Sequence, residues 1–200
     1  IDYICKSLEK YKPDTKIIHL STDYIFDGEF SEPICEKDTP NPISKYGKSK
    51  LLGEEMLQKS KIPSIIIRVS WLYSIFGKNF MKTIINLSKT KKSINVISDQ
   101  IGSPTSANDL VECILRIIVS ERFNYYAQKK GIFHFCNTGS CSWYEFAKEI
   151  LLLTSSDCKI SPITTDEYKT LAARPKYSIL DTSKIEGSFG LEINSWKEAL

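Results

Sequence analysis

The chain has 200 residues, of which 42% are hydrophobic and 26% are charged, and its formal net charge is +3. This composition is typical of a globular protein, and the scattered lysines exclude the continuous basic surface that a nucleic-acid-binding protein needs. The longest apolar runs are too short to span a bilayer and no signal peptide opens the chain, so we expect a cytoplasmic protein without membrane contact.

The N-terminal third alternates helix patterns with strand patterns. Short apolar runs typical of strands buried on both faces are separated by segments with helical spacing. Pro40 and Pro42 prevent an early start of the second helix, and Ser44 is a favoured N-cap residue. In chain order the predicted elements are a helix at 3–11, a strand at 17–20, a helix at 46–59 and a strand at 64–69. Strand, helix and strand in this order predict a parallel βαβ unit.

The same alternation continues to the C-terminus. Helices are predicted after three favoured N-cap residues, Asn79, Ser106 and Ser142, and Ser142 forms a capping-box pattern with Glu145. The helix after Ser106 is amphipathic and carries its apolar residues on one side, at Leu110, Ile114, Ile117 and Ile118. The other predicted elements are strands at 94–97, 132–136 and 159–163, a turn at 174–175 and a last short helix around Trp196.

The cysteines give no sign of a metal site or a redox motif. No C-x-x-C pair occurs, so we interpret the cysteines as small buried hydrophobic residues in a reducing compartment. His134 and Cys136 alternate on a predicted strand, but their spacing matches no zinc pattern, so a packing role is favoured. The six cysteines are Cys5, Cys35, Cys113, Cys136, Cys141 and Cys158. We predict no metal site.

Tyr46 and Lys50 lie four residues apart and therefore share one face of the predicted helix. A free phenol loses its proton only near pH 10, and a fixed cation beside it favours the phenolate. The positive end of the helix dipole acts in the same direction. Such a tyrosine can protonate a carbonyl oxygen while hydride adds to the carbon. The same spacing also occurs by chance in many helices, with a half-buried tyrosine and a solvated lysine.

A polar triplet, Ser21, Thr22 and Asp23, follows the first predicted strand. Open parallel sheets bind their ligands at the carboxyl ends of strands, and these hydroxyls and the carboxylate suit a polyhydroxylated substrate. Trp71 follows the next buried strand and is either a core aromatic residue or a substrate contact.

Several stretches, taken in order, resemble the motifs of the dTDP-4-dehydrorhamnose reductase family, a group of extended short-chain dehydrogenase/reductases. They are STDYIFDG at 21–28, YGKSKLLGE at 46–54, RVSWLY at 68–73, GKNF at 77–80, DQIGSPT at 99–105, SWYEFA at 142–147 and RPKYSILD at 174–181. The set covers nearly the whole chain and is specific, although the Tyr-x-x-x-Lys spacing alone marks only the superfamily.

The resemblance implies a fold and a division of the chain. The expected fold is the C-terminal part of a doubly wound, Rossmann-type parallel α/β sheet with a smaller α/β substrate-binding region. Residues 1–72, with 106–137 returning to them, would form the NAD(P)-binding part. Residues 73–105 and 138–200 would bind the sugar nucleotide.

The resemblance also implies a reaction, the reduction of the C4 keto group of dTDP-4-dehydro-L-rhamnose by NADPH or NADH. Tyr46 would be the proton donor, Lys50 would bind the nicotinamide ribose, and Thr22 would hydrogen-bond the reacting oxygen. Tyr46 and Ser21 are further expected cofactor contacts. Arg174 could clamp a diphosphate or form a surface salt bridge. The expected substrate contacts are Thr22, Asp23, Trp71 and Arg174.

One family feature has no counterpart in the sequence, the glycine-rich turn whose backbone N–H groups cradle the cofactor pyrophosphate. We expect about eighty residues of a typical member to be missing, and with them the first strands and the residue that selects NADPH over NADH. The chain alone would then expose a sheet edge and be unstable and inactive.

Other functions stay open. The same scaffold hosts other NDP-sugar reductases, epimerases and dehydratases. The beta subunit of methionine adenosyltransferase is also similar and is a non-catalytic regulatory partner, and a truncated relic without activity is a third alternative. The superfamily often pairs through helices, which would allow a homodimer. A metal-bridged dimer is not carried over, because Asn108 occupies the position where we expect an acidic residue.

Overall fold

The computed structural model describes residues 1–168 and 172–200. Within them the helices are α1 (Asp2–Tyr11), α2 (Lys45–Lys59), α3 (Phe80–Ser88), α4 (Ala107–Val119), α5 (Phe123–Gln128), α6 (Trp143–Leu153) and α7 (Ser183–Phe189), with a 3-10 helix at Asp23–Ile25. The strands are β1 (Ile17–Thr22), β2 (Ser64–Val69), β3 (Leu72–Tyr73), β4 (Ser93–Ile97), β5 (Ile101–Gly102), β6 (Thr105–Ser106), β7 (Ile132–Phe135), β8 (Cys141–Ser142), β9 (Lys159–Ile163) and β10 (Tyr177–Ser178).

A parallel sheet with the order β1-β2-β7 forms the centre of the first region. Ile18 lies opposite Ile65, and Ile67 lies opposite Phe133. Helices α1 and α2 cover one face of the sheet through a small apolar core, and α4, α5 and α7 cover the other through a larger one. The parallel α/β architecture predicted from the alternation of strands and helices is confirmed.

The prediction that the first strand is buried on both faces is wrong. Ile17, Ile18 and His19 are only half-buried and Leu20 is exposed. Within the described residues β1 lies at the edge of the sheet, so it has a strand neighbour on one side only. The central strand β2, in contrast, is buried at every position, as expected for an apolar run inside a parallel sheet.

A second region is built on the parallel pair β4-β9, with α3 and α6 packed on it. Asn79 caps α3 by accepting a hydrogen bond from the backbone N–H of Lys82 at 3.1 Å. Ser142 and Glu145 form the predicted capping box at the start of α6. The remaining short strands form the parallel pair β3-β6 and a three-stranded sheet with the order β10-β5-β8, in which β5 and β8 are antiparallel.

Two predictions near helices need correction. Trp196 does not lie in a helix: residues 196–199 form a turn, and its ring packs edge-on against Phe146. The last helix is α7 instead, which buries Ile185 in the first core and ends at Gly190 with φ of 63°. Ile118 on α4 is 46% exposed, because that helix turns a narrower apolar stripe toward the sheet than its sequence predicts.

An ion pair inside the protein joins α2 to the sheet. Nη2 of Arg68 donates to Oε2 of Glu54 at 2.8 Å, and both side chains are almost wholly buried. Nη1 of Arg68 also lies 3.4 Å from Nε2 of His134, whose Nδ1 is 3.0 Å from the carbonyl oxygen of Ile34. Burial, followed by the charge of Arg68, lowers the pKa of His134 to about 3. His134 is therefore neutral, with Nδ1–H donating to Ile34 and Nε2 accepting from Arg68.

Across residues 1–168 and 172–200, no helix is both long and apolar enough to cross a lipid bilayer. The same residues contain no cluster of three or more His, Cys, Asp or Glu side chains that could hold a metal ion. The six cysteines are free thiols; Cys35 and Cys158 are half-buried and the other four are buried.

Candidate active site

A cleft of about 320 Å³ lies where the carboxyl ends of β1 and β2 meet the first turns of α2. Parallel strands bring their carboxyl ends to one edge of the sheet, so residues distant in sequence become neighbours there. The structure brings six of the predicted site residues together in this cleft and leaves Arg174 outside it. The six are Ser21, Thr22, Asp23, Tyr46, Lys50 and Trp71.

Helix α2 positions the tyrosine and the lysine. Its N-cap Ser44 accepts a hydrogen bond from the backbone N–H of Gly47 at 3.0 Å. A Cβ at Gly47 would collide with the carbonyl oxygen of Tyr24, so glycine lets the first turn of α2 lie directly against the 3-10 helix. Tyr46 in this turn packs edge-on against Tyr24, with 5.9 Å between ring centroids. Lys50 follows one turn later on the same face.

Tyr46 and Lys50 differ in how firmly they are held. Tyr46 is 54% exposed and lines the cleft, so a molecule bound there can contact this residue. Nζ of Lys50 donates to the carbonyl oxygen of Leu20 at 2.6 Å, which ties it to the end of β1. An ammonium group has three protons, so two remain for a ligand.

The polar triplet after β1 is buried beneath the cleft. Oγ1 of Thr22 donates to Oδ1 of Asp23 at 3.0 Å and accepts from the backbone N–H of Tyr24 at 3.2 Å. Asp23 is only 2% exposed, and burial raises its pKa to about 7. Within the described residues, Oγ of Ser21 and Oδ2 of Asp23 have no hydrogen-bond partner. Buried polar atoms without a partner are costly, and a polar ligand in the cleft would satisfy them.

Two stacked tryptophans form a wall of the cleft. The rings of Trp71 and Trp143 are 3.5 Å apart and 7° from parallel. The backbone of Trp71 has φ of 44°, a left-handed conformation that is unusual for a bulky residue and is often found at functional sites. Gly102 lies against the indole: a Cβ there would be 2.6 Å from Cε2 of Trp71.

Arg174 lies on a second groove beside the cleft. This groove holds about 360 Å³, is largely apolar, and shares Trp143 with the first cleft. The Arg174 side chain is exposed, and its charge partly offsets the burial that raises the pKa of Tyr24. In the part of the chain that the structure describes, no carboxylate lies within ion-pair distance of Arg174.

Sequence reasoning missed three residues at this site: Tyr24, Gly102 and Trp143. Trp143 opens a capped helix, which reads as an ordinary core position, and Gly102 reads as a turn residue. The tertiary contact between the two tryptophans is what brings both residues to the cleft. Tyr24 belongs to the polar stretch after β1, but the sequence predicts no role for it. Only its packing against Tyr46 indicates one.

A comparison with protein-family models identifies the family of this chain. The model described as the RmlD substrate binding domain matches residues 8–200. The chain is 40% identical over 194 residues to the spore coat polysaccharide biosynthesis protein SpsK of Bacillus subtilis strain 168, covering 97% of this chain and 65% of SpsK.

Two solved structures are also similar. The dTDP-4-dehydrorhamnose reductase of Clostridium acetobutylicum superposes with a TM-score of 0.89 at 42% identity, covering 99% of this chain and 67% of that one. The enzyme of the same name from Bacillus anthracis, solved in complex with NADP, gives 0.85 at 40% identity and covers 92% and 63%. The chain thus spans about two thirds of the length of these relatives.

Proposed function

Because the chain belongs to the RmlD substrate binding domain family, we propose that it carries the active site of an NAD(P)H-dependent dTDP-4-dehydrorhamnose reductase. The reaction reduces the C4 keto group of dTDP-4-dehydro-L-rhamnose and gives dTDP-L-rhamnose for surface polysaccharide. The observation that carries the proposal is the cleft in which a tyrosine, a lysine and a threonine meet at the end of a parallel strand. The names of the two solved relatives support the same reaction.

In this proposal Tyr46 supplies the proton. When bound, a nicotinamide cofactor supplies the hydride that adds to C4 of the keto sugar. The carbonyl oxygen then requires one proton, and the hydroxyl of Tyr46, an exposed residue that lines the cleft, would give it. Tyr46 lies in the first turn of α2, where the positive end of the helix dipole stabilises a phenolate after the proton has left.

Lys50 and Ser21 are assigned to the cofactor. Among the described residues, Lys50 Nζ gives one proton to Leu20, and its other two suit the hydroxyls of a nicotinamide ribose. Oγ of Ser21, which has no partner among the same residues, would be a further polar contact at the same strand end. The residues present therefore fit a nicotinamide cofactor. NADPH is the first candidate because the Bacillus anthracis relative was solved with NADP.

The sugar nucleotide is assigned to the rest of the cleft and to the second groove. Thr22, Asp23 and Trp71 would contact the keto sugar, and Arg174 the diphosphate, since a guanidinium group suits phosphate oxygens. Residues 1–72 with 106–137 would form the cofactor part, and 73–105 with 138–200 the substrate part. We also propose that the protein is cytoplasmic and forms a homodimer. Light scattering would measure its oligomeric state.

The test is NADPH consumption by the full natural chain with dTDP-4-dehydrorhamnose, compared with Tyr46→Phe. Removing the only proton donor of the proposed step should lower kcat by about 100-fold or more. The matched control is Tyr125→Phe, which removes a hydroxyl from an exposed tyrosine on α5 outside the cleft and should leave kcat unchanged.

Two outcomes would contradict the proposal. Equal turnover by wild type and Tyr46→Phe would remove Tyr46 from the proton step. A folded protein that binds NADPH but does not turn over this substrate would exclude the reductase, and other NDP-sugars and then protein partners would be tested next.

A further inference from the structure

The hydroxyl of Thr22 has a single proton, and in the structure that proton is already used. Oγ1 of Thr22 donates it to Oδ1 of Asp23 at 3.0 Å. One of the two acceptor positions of the same oxygen is occupied by the backbone N–H of Tyr24. Thr22 therefore cannot donate to a substrate oxygen while it donates to Asp23.

The surroundings of Asp23 do not favour a carboxylate. Its side chain is 2% exposed, Oδ2 has no hydrogen-bond partner among the described residues, and the nearby titratable groups are Tyr24 and Cys136. Neither of these carries a positive charge. Burial is the main reason that the pKa of Asp23 is raised to about 7. The hydrogen bond from Thr22 limits this rise, as do the nearby Ser178 hydroxyl, which lies outside hydrogen-bond geometry with Oδ2, and the backbone N–H groups of Asp23 and Tyr24.

The other charged groups of this region have different partners or lie further away. Lys50 is tied to the carbonyl oxygen of Leu20, and the charge of Arg174 acts on Tyr24. Tyr46 packs edge-on against the ring of Tyr24. None of these groups gives Asp23 a hydrogen bond within the described residues.

We propose that Asp23 is a positioning residue that holds a proton during the reaction and thereby turns the hydroxyl of Thr22 toward the substrate. This inference rests on the proposed function. When Asp23 is protonated, its O–H donates to Oγ1 of Thr22, and the Thr22 proton is free for the carbonyl oxygen. The two acceptor positions of Thr22 are then filled by Asp23 and Tyr24, and its one donor position by the substrate. When Asp23 is ionised, the Thr22 proton points back at the carboxylate.

The first test needs no substrate. Carbon-13 NMR of the full natural chain, labelled at aspartate Cγ, follows the titration of Asp23, which is identified by the signal missing in Asp23→Asn. We expect a midpoint near pH 7 rather than near 4. Thr22→Val should raise the midpoint further, because it removes a hydrogen bond that favours the ionised form, and Thr22→Ser should restore it. A carboxyl already ionised at pH 5 would overturn the proposal.

The second test is the pH profile of kcat/KM. In the wild type, kcat/KM should fall about tenfold per pH unit above the NMR midpoint, as expected for one required proton. Asp23→Asn should lack this break whatever its absolute rate, because an amide N–H donates to Thr22 at every pH. Thr22→Val should lower kcat by about 100-fold, as loss of a hydrogen-bond donor to a developing oxyanion does.

The outcomes separate this inference from the proposed function. An unchanged break in Asp23→Asn would overturn the role of Asp23 while the reductase stands. Absence of turnover in the wild type would overturn the reductase. The NMR titration would then still decide whether Asp23 holds a proton that depends on Thr22.

Discussion

At the scale of single residues, a buried ion pair stabilises the helix that carries part of the site. Glu54 lies one turn after Lys50 on α2, and its ion pair with Arg68 on β2 connects that helix to the central strand. Arg68 is 3% exposed, so water cannot replace the carboxylate if Glu54 is removed. Breaking one side of a buried pair leaves an uncompensated charge and is strongly destabilising.

We therefore expect Glu54→Gln to lower the free energy of unfolding by about 3 kcal/mol or more. Chemical denaturation of the variant and the wild type would measure the difference. The matched control is Glu112→Gln, which breaks the exposed pair with Arg116 on α4 and should cost less than about 1 kcal/mol. Equal losses in the two variants would show that burial does not strengthen the Glu54 pair.

At the scale of elements, the strand β5 sets the position of the tryptophan wall. Gly102 on β5 leaves room for the indole of Trp71, which stacks on Trp143 at the start of α6. Three elements, the turn after β2, β5 and α6, thus determine one side of the cleft. The left-handed backbone of Trp71 is held by these contacts rather than by its own preference.

A methyl group at position 102 should separate the two indoles. The added Cβ of Gly102→Ala would lie 2.6 Å from Trp71 and 2.8 Å from Oγ of Ser178, so the ring must shift. We expect a changed near-ultraviolet circular dichroism signal and a KM for the sugar nucleotide raised about tenfold, in the range of a lost aromatic contact. Gly187→Ala on α7, where nothing lies within 4 Å of the new Cβ, is the control. An unchanged spectrum and KM in Gly102→Ala would contradict the proposed wall.

At the scale of the whole molecule, the described sheet has one fully buried strand and one half-exposed edge. Every residue of β2 is buried between two helical layers, whereas β1 has a strand neighbour only on the β2 side. The same strand β1 ends in the polar triplet of the cleft. The proposed site residues thus lie on the less protected side of the described sheet, as is common for sites that must admit ligands.

Hydrogen exchange should detect this asymmetry. We expect backbone amides of β2 to exchange roughly tenfold or more slowly than those of β1 in the 200-residue chain, since edge hydrogen bonds open locally. Mass spectrometry of peptides that cover residues 17–22 and 64–69 would compare the two strands. Similar protection of both peptides would mean that the outer side of β1 is covered in solution.

Much of the local structure could be predicted from the sequence because local physical chemistry determines it. Ser44, Asn79 and Ser142 cap their helices as expected, and the strand at 64–69 has the predicted bounds. Tyr46 and Lys50 share a helix face by spacing alone. The motif that contains these two residues, with the other motifs along the chain, also indicates the reductase family from the sequence alone.

Contacts between distant segments were decided only by the tertiary structure. The half-exposure of β1, the turn at Trp196 and the stack of Trp71 on Trp143 depend on neighbours that no local pattern encodes. The hydrogen bond between Thr22 and Asp23 also depends on tertiary packing. The sequence places these two residues side by side at a strand end, but their burial, and with it the raised pKa of Asp23, comes from the elements packed around them.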